Sequence, residues 1–163
     1  MLLIKRIADN LKHQVRLHQG LLETLDAEYQ LTAACSLEEL QSIHQKRGSL
    51  VEQLRDEEKK RAALVEMYAF QEGLDTTPTL QNIIQNCDQS LGRNLSEAKA
   101  ELSFLLKKIQ DTGRINARKA SSRLRSIKNV QSNIHKSFMR IPVYSGKGVV
   151  SQPQGSCLLQ KSV

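Results

Sequence analysis

A chain of 163 residues with no Trp, 4% aromatic residues and a formal charge of +7 has the length of one domain with a core. Its abundant Leu, Gln, Glu, Lys, Arg and Ala lose little rotamer freedom in a helix, which points to an all-α, elongated fold. No apolar run approaches the roughly 18 residues of a membrane span, so membrane insertion is excluded, and the short apolar run in Met1 to Arg6 predicts no secretory signal.

From Ile4 the apolar residues recur at three and four, through Ile7, Leu11, Val15, Leu22, Leu25 and Tyr29, with His18 filling one turn. This predicts a first helix ending near Ala34-Cys35. Ser36, followed three residues later by Glu39, predicts a capping box that opens the next helix. The second helix runs from Leu37 to about Glu72 on a stripe of Leu40, Ile43, Leu50, Leu54, Leu64 and Tyr68. Arg47, Glu57 and Arg61 interrupt the heptad, so its middle is expected to be half-buried.

Gly73 predicts a C-cap, and Thr77-Pro78 predicts an N-cap with proline at the first helical position. A third helical region follows through Leu80, Ile83, Ile84, Cys87, Leu91, Leu95, Ala98, Leu102, Leu105 and Ile109, with Gly92 and Asp111-Thr112-Gly113 as the points of kink or break. Beyond Gly113 the stripe turns small at Ala117 and Ala120, then recovers as Leu124, Ile127, Ile134, Phe138 and Ile141, with Gln131 at the missing heptad position. Pro142 ends it. The expected organisation is a helical, coiled-coil-like domain over 1–141, in which 113–141 is an amphipathic basic helix, and a flexible tail over 142–163.

Charge divides along the same line. Residues 1–111 hold fourteen bases against seventeen acids, a net of −3, whereas residues 112–163 hold ten bases and no acid. Such a segment suits an acidic protein surface, with the bases steering encounter and the apolar stripe supplying affinity. Nucleic acid attracts the same charge, but stacking aromatics are scarce here, with only Phe138 and Tyr144 nearby.

Parts for catalysis are missing: there is no glycine-rich phosphate loop, no HExxH and no nucleophile elbow. His13 and His18 stand five apart, off the spacing that stacks two ligands on one helical face. Cys35, Cys87 and Cys157 are odd in number and far apart, which predicts neither a disulfide framework nor a zinc site and favours a reducing cytoplasm. No metal or cofactor is expected. Two placements remain open for Leu124, Ile127, Ile134, Phe138 and Ile141: a face offered to a partner, or one packed back on the first two helices. Tyr144, between Val143 and Ser145 in a turn-rich stretch, is either an anchor for docking or folded at the root of the tail.

Three stretches carry a family resemblance. Leu21-Leu22-Glu23-Thr24-Leu25-Asp26-Ala27-Glu28, then Ile43 to Leu54 followed by Glu57 to Arg61, and last Ile115-Asn116-Ala117-Arg118 leading through a helix to Tyr144-Ser145-Gly146-Lys147-Gly148, resemble in order and spacing the FlgN-type flagellar export chaperones. The chain departs from that pattern at Arg118 and Lys119, where the family usually has a second Asn. The resemblance implies a long antiparallel helical hairpin that is cytoplasmic and non-enzymatic. It further implies binding of hook-filament junction proteins before secretion and their delivery to the cytoplasmic domain of the export gate. Cargo would be held on Leu124, Ile127, Ile134, Phe138 and Ile141, with Arg123 and Lys128 beside them, and Tyr144 would serve gate contact. The alternatives are a basic helical nucleic-acid-binding protein and a self-associating coiled-coil component.

Overall fold

The computed structural model describes residues 2–31, 36–139, 143–144 and 150–151, with side chains described as far as Ser137. Four helices account for nearly all of them: α1 (Leu2–Gln30), α2 (Leu37–Gln71), α3 (Leu80–Asn86) and α4 (Gln89–Met139). Two two-residue strands follow, β1 (Val143–Tyr144) and β2 (Val150–Ser151). The fold is all-α. The chain divides into two compact units, Met1–Asn116 and Ala117–Val163.

The first unit is built on an antiparallel pairing of α1 with α2. Rising positions on α1 meet falling positions on α2: Asn10 bonds to Glu57, Gly20 faces Leu50 and Glu28 pairs with Arg47. Early α4 runs alongside α1, where Gln19 donates to Glu101 at 2.9 Å, and α3 folds against it, where Lys99 donates to Gln81 at 2.7 Å. The core gathers where all four helices meet: Ile4, Ile7 and Leu11 from α1, Leu64, Val65 and Tyr68 from α2, Ile83 from α3, and Leu95 and Ala98 from α4. Ile7, Leu11, Ile83 and Leu95 are essentially inaccessible to solvent. Each such side chain contributes about 1.5–3 kcal/mol of hydrophobic stabilisation.

Helix α1 is covered on more of its circumference than its apolar stripe predicts. Asn10, Gln14 and Thr24 are buried beside it. All three are hydrogen-bonded, as burial in low dielectric demands. Asn10 donates to the Glu57 carboxylate at 2.6 Å and the Glu57 carbonyl at 3.1 Å, Gln14 donates to Asn10 Oδ1 at 3.0 Å, and Thr24 donates to the Leu21 carbonyl at 2.7 Å. A polar layer of this kind favours one register of a helical pair over its neighbours. Glu57 and Arg61 are half-buried, as the interrupted heptad predicts.

Helix boundaries follow local chemistry. The capping box is present in full: Ser36 Oγ accepts from the Glu39 amide at 3.1 Å and the Ser36 amide donates to Glu39 Oε2 at 3.0 Å. At the other end of α2, Gly73 adopts φ +67°, and the amides of Gly73 and Leu74 donate back to the carbonyls of Phe70 and Ala69. That is a Schellman closure, which requires the left-handed residue glycine supplies.

Three expectations are corrected. The N-cap of α3 is Thr79, whose hydroxyl accepts from the Asn82 amide at 3.2 Å, so Thr77-Pro78 lies in the connection. The third helical region is interrupted at Cys87-Asp88, where Cys87 is extended at φ −108°, ψ 169°. Gly92 and Gly113 are both inside α4. Gly92 is needed for close approach: a Cβ there would stand 3.2 Å from the Ile84 carbonyl and 3.4 Å from Cys87 Sγ. Finally, α1 ends at Gln30, ahead of Ala34-Cys35, which lies outside the described residues.

The second unit holds the C-terminal half of α4 and the strand pair. Val143 pairs with Ser151 and Tyr144 with Val150, antiparallel, in a stretch whose sequence shows no strand periodicity.

Candidate partner-binding surface

The C-terminal half of α4 carries an apolar face that the described residues leave uncovered. Leu124 is 54% exposed, Ile127 64%, Val130 58% and Ile134 52%. Successive steps of three and four from Ile127 through Val130 to Ile134 keep these side chains on one side of a 3.6-residue helix. Ser126, Ile127, Val130, Gln131 and Ile134 line a shallow depression on it. Neighbouring polar groups are satisfied locally: Ser126 donates to the Ser122 carbonyl at 3.2 Å and Ser137 to the Asn133 carbonyl at 2.9 Å.

Arg125, Lys128 and Lys136 are exposed around the apolar face and Arg123 is half-buried. No Asp or Glu follows Asp111, so the charged side chains on this half of α4 are all bases.

Of the residues expected to bind a partner, Leu124, Ile127 and Ile134 share the face, with Lys128 exposed beside it. Phe138 continues α4 in its backbone. The side chains of Phe138 and Tyr144, and all of Ile141, lie outside the described residues. Val130 belongs to the face and was missed in the sequence because a strict heptad places Gln131 there. The three-then-four step from Ile127 was the available signal.

At the end of the first unit a second cluster gathers on Glu28. Its carboxylate accepts from Arg47 Nη1 at 2.9 Å and Asn116 Nδ2 at 3.2 Å, and His44 Nε2 stands 3.4 Å away. Asn116 also donates to the Leu25 carbonyl at 2.8 Å. This cluster joins three helices by hydrogen bonds and ion pairing.

The remaining reactive groups are quiet. Burial pushes the Cys87 thiol above its ordinary pKa, and the thiol donates to the Ile84 carbonyl at 3.5 Å, the opposite of the electropositive setting that activates a cysteine. Burial likewise raises the Tyr68 phenol, with nearby Glu72 adding to it. Among the described residues no group of three or more His, Cys, Asp or Glu is placed to hold a metal ion, and no helix is long and apolar enough to cross a membrane.

In class the chain is a helical protein whose last helix carries exposed apolar side chains and, beyond Asp111, no acid. The chain matches the FlgN protein family over residues 1–152 and belongs to that family, a family of flagellar export chaperones. No curated protein and no solved structure matches it.

Proposed function

We propose that the chain is a cytoplasmic chaperone that binds hook-filament junction proteins on the apolar face of α4 around Leu124, Ile127, Val130 and Ile134. It holds them unassembled and hands them to the cytoplasmic domain of the export gate. One observation carries this reading: four large apolar side chains, each more than half exposed, lie in a segment that contains no acid. Exposed apolar faces of this extent mark docking sites. Covering each side chain is worth about 1.5–3 kcal/mol, so four leave tight association after ordering costs are met.

The mechanism is capping. An amphipathic helix covers the apolar termini through which a junction subunit assembles, and competition at the gate releases it, with no bond made or broken. Phe138 and Ile141 extend the same face by sequence, Arg123 and Lys128 steer encounter with acidic cargo, and Tyr144 is the contact to the gate.

Purified junction protein titrated against Ile127→Asp/Ile134→Asp tests the reading. Binding is expected to vanish while helicity is unchanged. Retained binding would sink it. Tyr144→Ala is expected to keep cargo affinity and weaken capture by the gate's cytoplasmic domain; equal loss of both would refute that division of labour.

A further inference from the structure

The end of α2 is a chemical mirror of the basic helix. Residues 62–92 contain four acids, Glu66, Glu72, Asp75 and Asp88, and not one Lys or Arg. On the same stretch, Phe70 is 90% exposed and Met67 and Leu74 are exposed as well. With Ala63 they recur at four, three and four, one side of the helix continued by the Schellman turn at Gly73. A phenyl ring left almost wholly in water contributes nothing to the fold, since the core beside it is completed by Leu64, Val65 and Tyr68.

The charges around this face are available too. Glu66, Glu72 and Asp75 are exposed, and among the described residues none of them is in an ion pair. The bases just upstream are engaged with their own neighbours: Lys59 with Asp56 at 3.2 Å, Lys60 with Glu57 at 2.7 Å, and Arg61 with Glu58. Arg6 and Lys60 line a depression with Ala63 and Met67, which makes the Met67 end of the face mixed in charge. Along residues 62–92 themselves the surface is apolar at Met67, Phe70 and Leu74 and acidic at Glu66, Glu72 and Asp75.

We infer that this face, Met67, Phe70 and Leu74 rimmed by Glu66, Glu72 and Asp75, is a self-docking site that receives the basic apolar helix of a second copy of the chain. The argument is complementarity. The required occupant is a helix with an apolar stripe, positive charge and no acid, and residues 112–137 of another copy meet each condition, with Leu124, Ile127, Val130 and Ile134 exposed. Opposite fields on the two surfaces accelerate encounter and reject like-charged partners. The contact joins two different surfaces, so it is heterologous: one copy of a pair is left with a free basic helix and the other with a free acidic face. Self-docking would cover the stripe assigned to cargo, so it rests on that assignment for its consequence: empty chaperone shields its own apolar face, and cargo displaces the second copy.

Sedimentation of the full chain tests this at roughly 100 µM, well above a micromolar-range Kd, and roughly 0.05 M salt, where screening is weak. The wild type is expected to show concentration-dependent species beyond the monomer, several-fold weaker at about 0.3 M salt. Met67→Asp/Phe70→Asp and Ile127→Asp/Ile134→Asp are each expected to be monomeric with unchanged helicity, and mixing them should restore a one-to-one complex, because each keeps the half the other lacks. Charge reversal by Glu72→Lys/Asp75→Lys, on exposed positions, should weaken association without touching the apolar spine. A wild type that stays monomeric overturns the inference, as does a self-associating Met67→Asp/Phe70→Asp variant or a mixture that does not recombine. Junction-protein titration separates the two readings. Met67→Asp/Phe70→Asp should bind cargo at least as tightly as wild type, so loss of self-docking with cargo binding intact leaves the chaperone assignment standing.

Discussion

Asn116 and Glu28 meet across 88 positions of sequence, the Asn116 amide donating to Glu28 Oε2 at 3.2 Å while the same carboxylate accepts from Arg47 at 2.9 Å. One acid on α1 thus holds a residue of α2 and a residue of α4. Asn116→Ala is expected to lower unfolding free energy by about 1–3 kcal/mol, the cost of stranding buried partners. Its Oδ1 is buried with no hydrogen-bond partner among the described residues, which places the loss near the lower end. Asn116→Asp should cost more, since it sets two carboxylates against each other and removes the donor. Urea unfolding of both variants measures this, and an Asn116→Asp variant as stable as wild type would refute the contact.

Glycines on α2 and α4 are expected to split by what surrounds them. Nothing lies within 4 Å of a Cβ built at Gly48 or Gly113, so alanine there should stabilise by about 0.4–1 kcal/mol, through helix propensity and a restricted unfolded chain. At Gly92 the Ile84 carbonyl is 3.2 Å from that Cβ. A backbone oxygen yields poorly, so overpacking of about 1–3 kcal/mol outweighs the propensity gain. Thermal unfolding of the three alanine variants should therefore shift in opposite directions.

Core and face should respond differently to truncation. Ile83→Ala empties a fully enclosed site and is expected to destabilise by about 2–5 kcal/mol. Ile127→Ala removes a side chain that is 64% exposed, so stability should change by no more than about 0.5 kcal/mol. On the proposed function, affinity for junction protein should instead fall roughly tenfold, the equivalent of about 1.4 kcal/mol. Denaturation midpoints and binding isotherms on the same two proteins give the comparison.

Acid should loosen the hairpin partly through Glu58. The hydrogen bond from Arg61 holds its carboxyl below the ordinary value of 4.5, with burial opposing and Gln14 assisting. A depressed folded pKa contributes stability that is present above 4.5 and is lost as pH falls through the folded value. Glu58→Gln should therefore show a shallower fall in urea midpoint between neutral pH and the region below 4.5. The effect is small because Glu58 is exposed to solvent. Equal slopes in the two proteins would exclude the contribution.

The helices were legible where chemistry is local. Ser36 with Glu39, Gly73 after α2 and the three-four recurrence from Ile4 to Leu25 each depend on residues within a turn or two of one another, and each stands in the structure as the sequence predicts. The interruption of the third region was misplaced because the glycines that signal a break, Gly92 and Gly113, are tolerated inside a packed helix. Cys87-Asp88, which does break it, has no strong turn signature.

Sequence by itself determined the helical class, the segregation of charge and the apolar spacing of the C-terminal helix, because composition and period are properties of the chain read in order. Only tertiary structure decided which apolar faces are covered. Leu95 and Leu124 lie on the same helix and look alike in sequence, yet one is wholly buried and the other 54% exposed. Burial depends on what other segments bring alongside. Neither the buried Asn10, Gln14 and Asn116 nor the bare Phe70 carries a local signature, since a polar residue enters a core only when a distant partner satisfies it and an aromatic stays in water only when no distant segment reaches it.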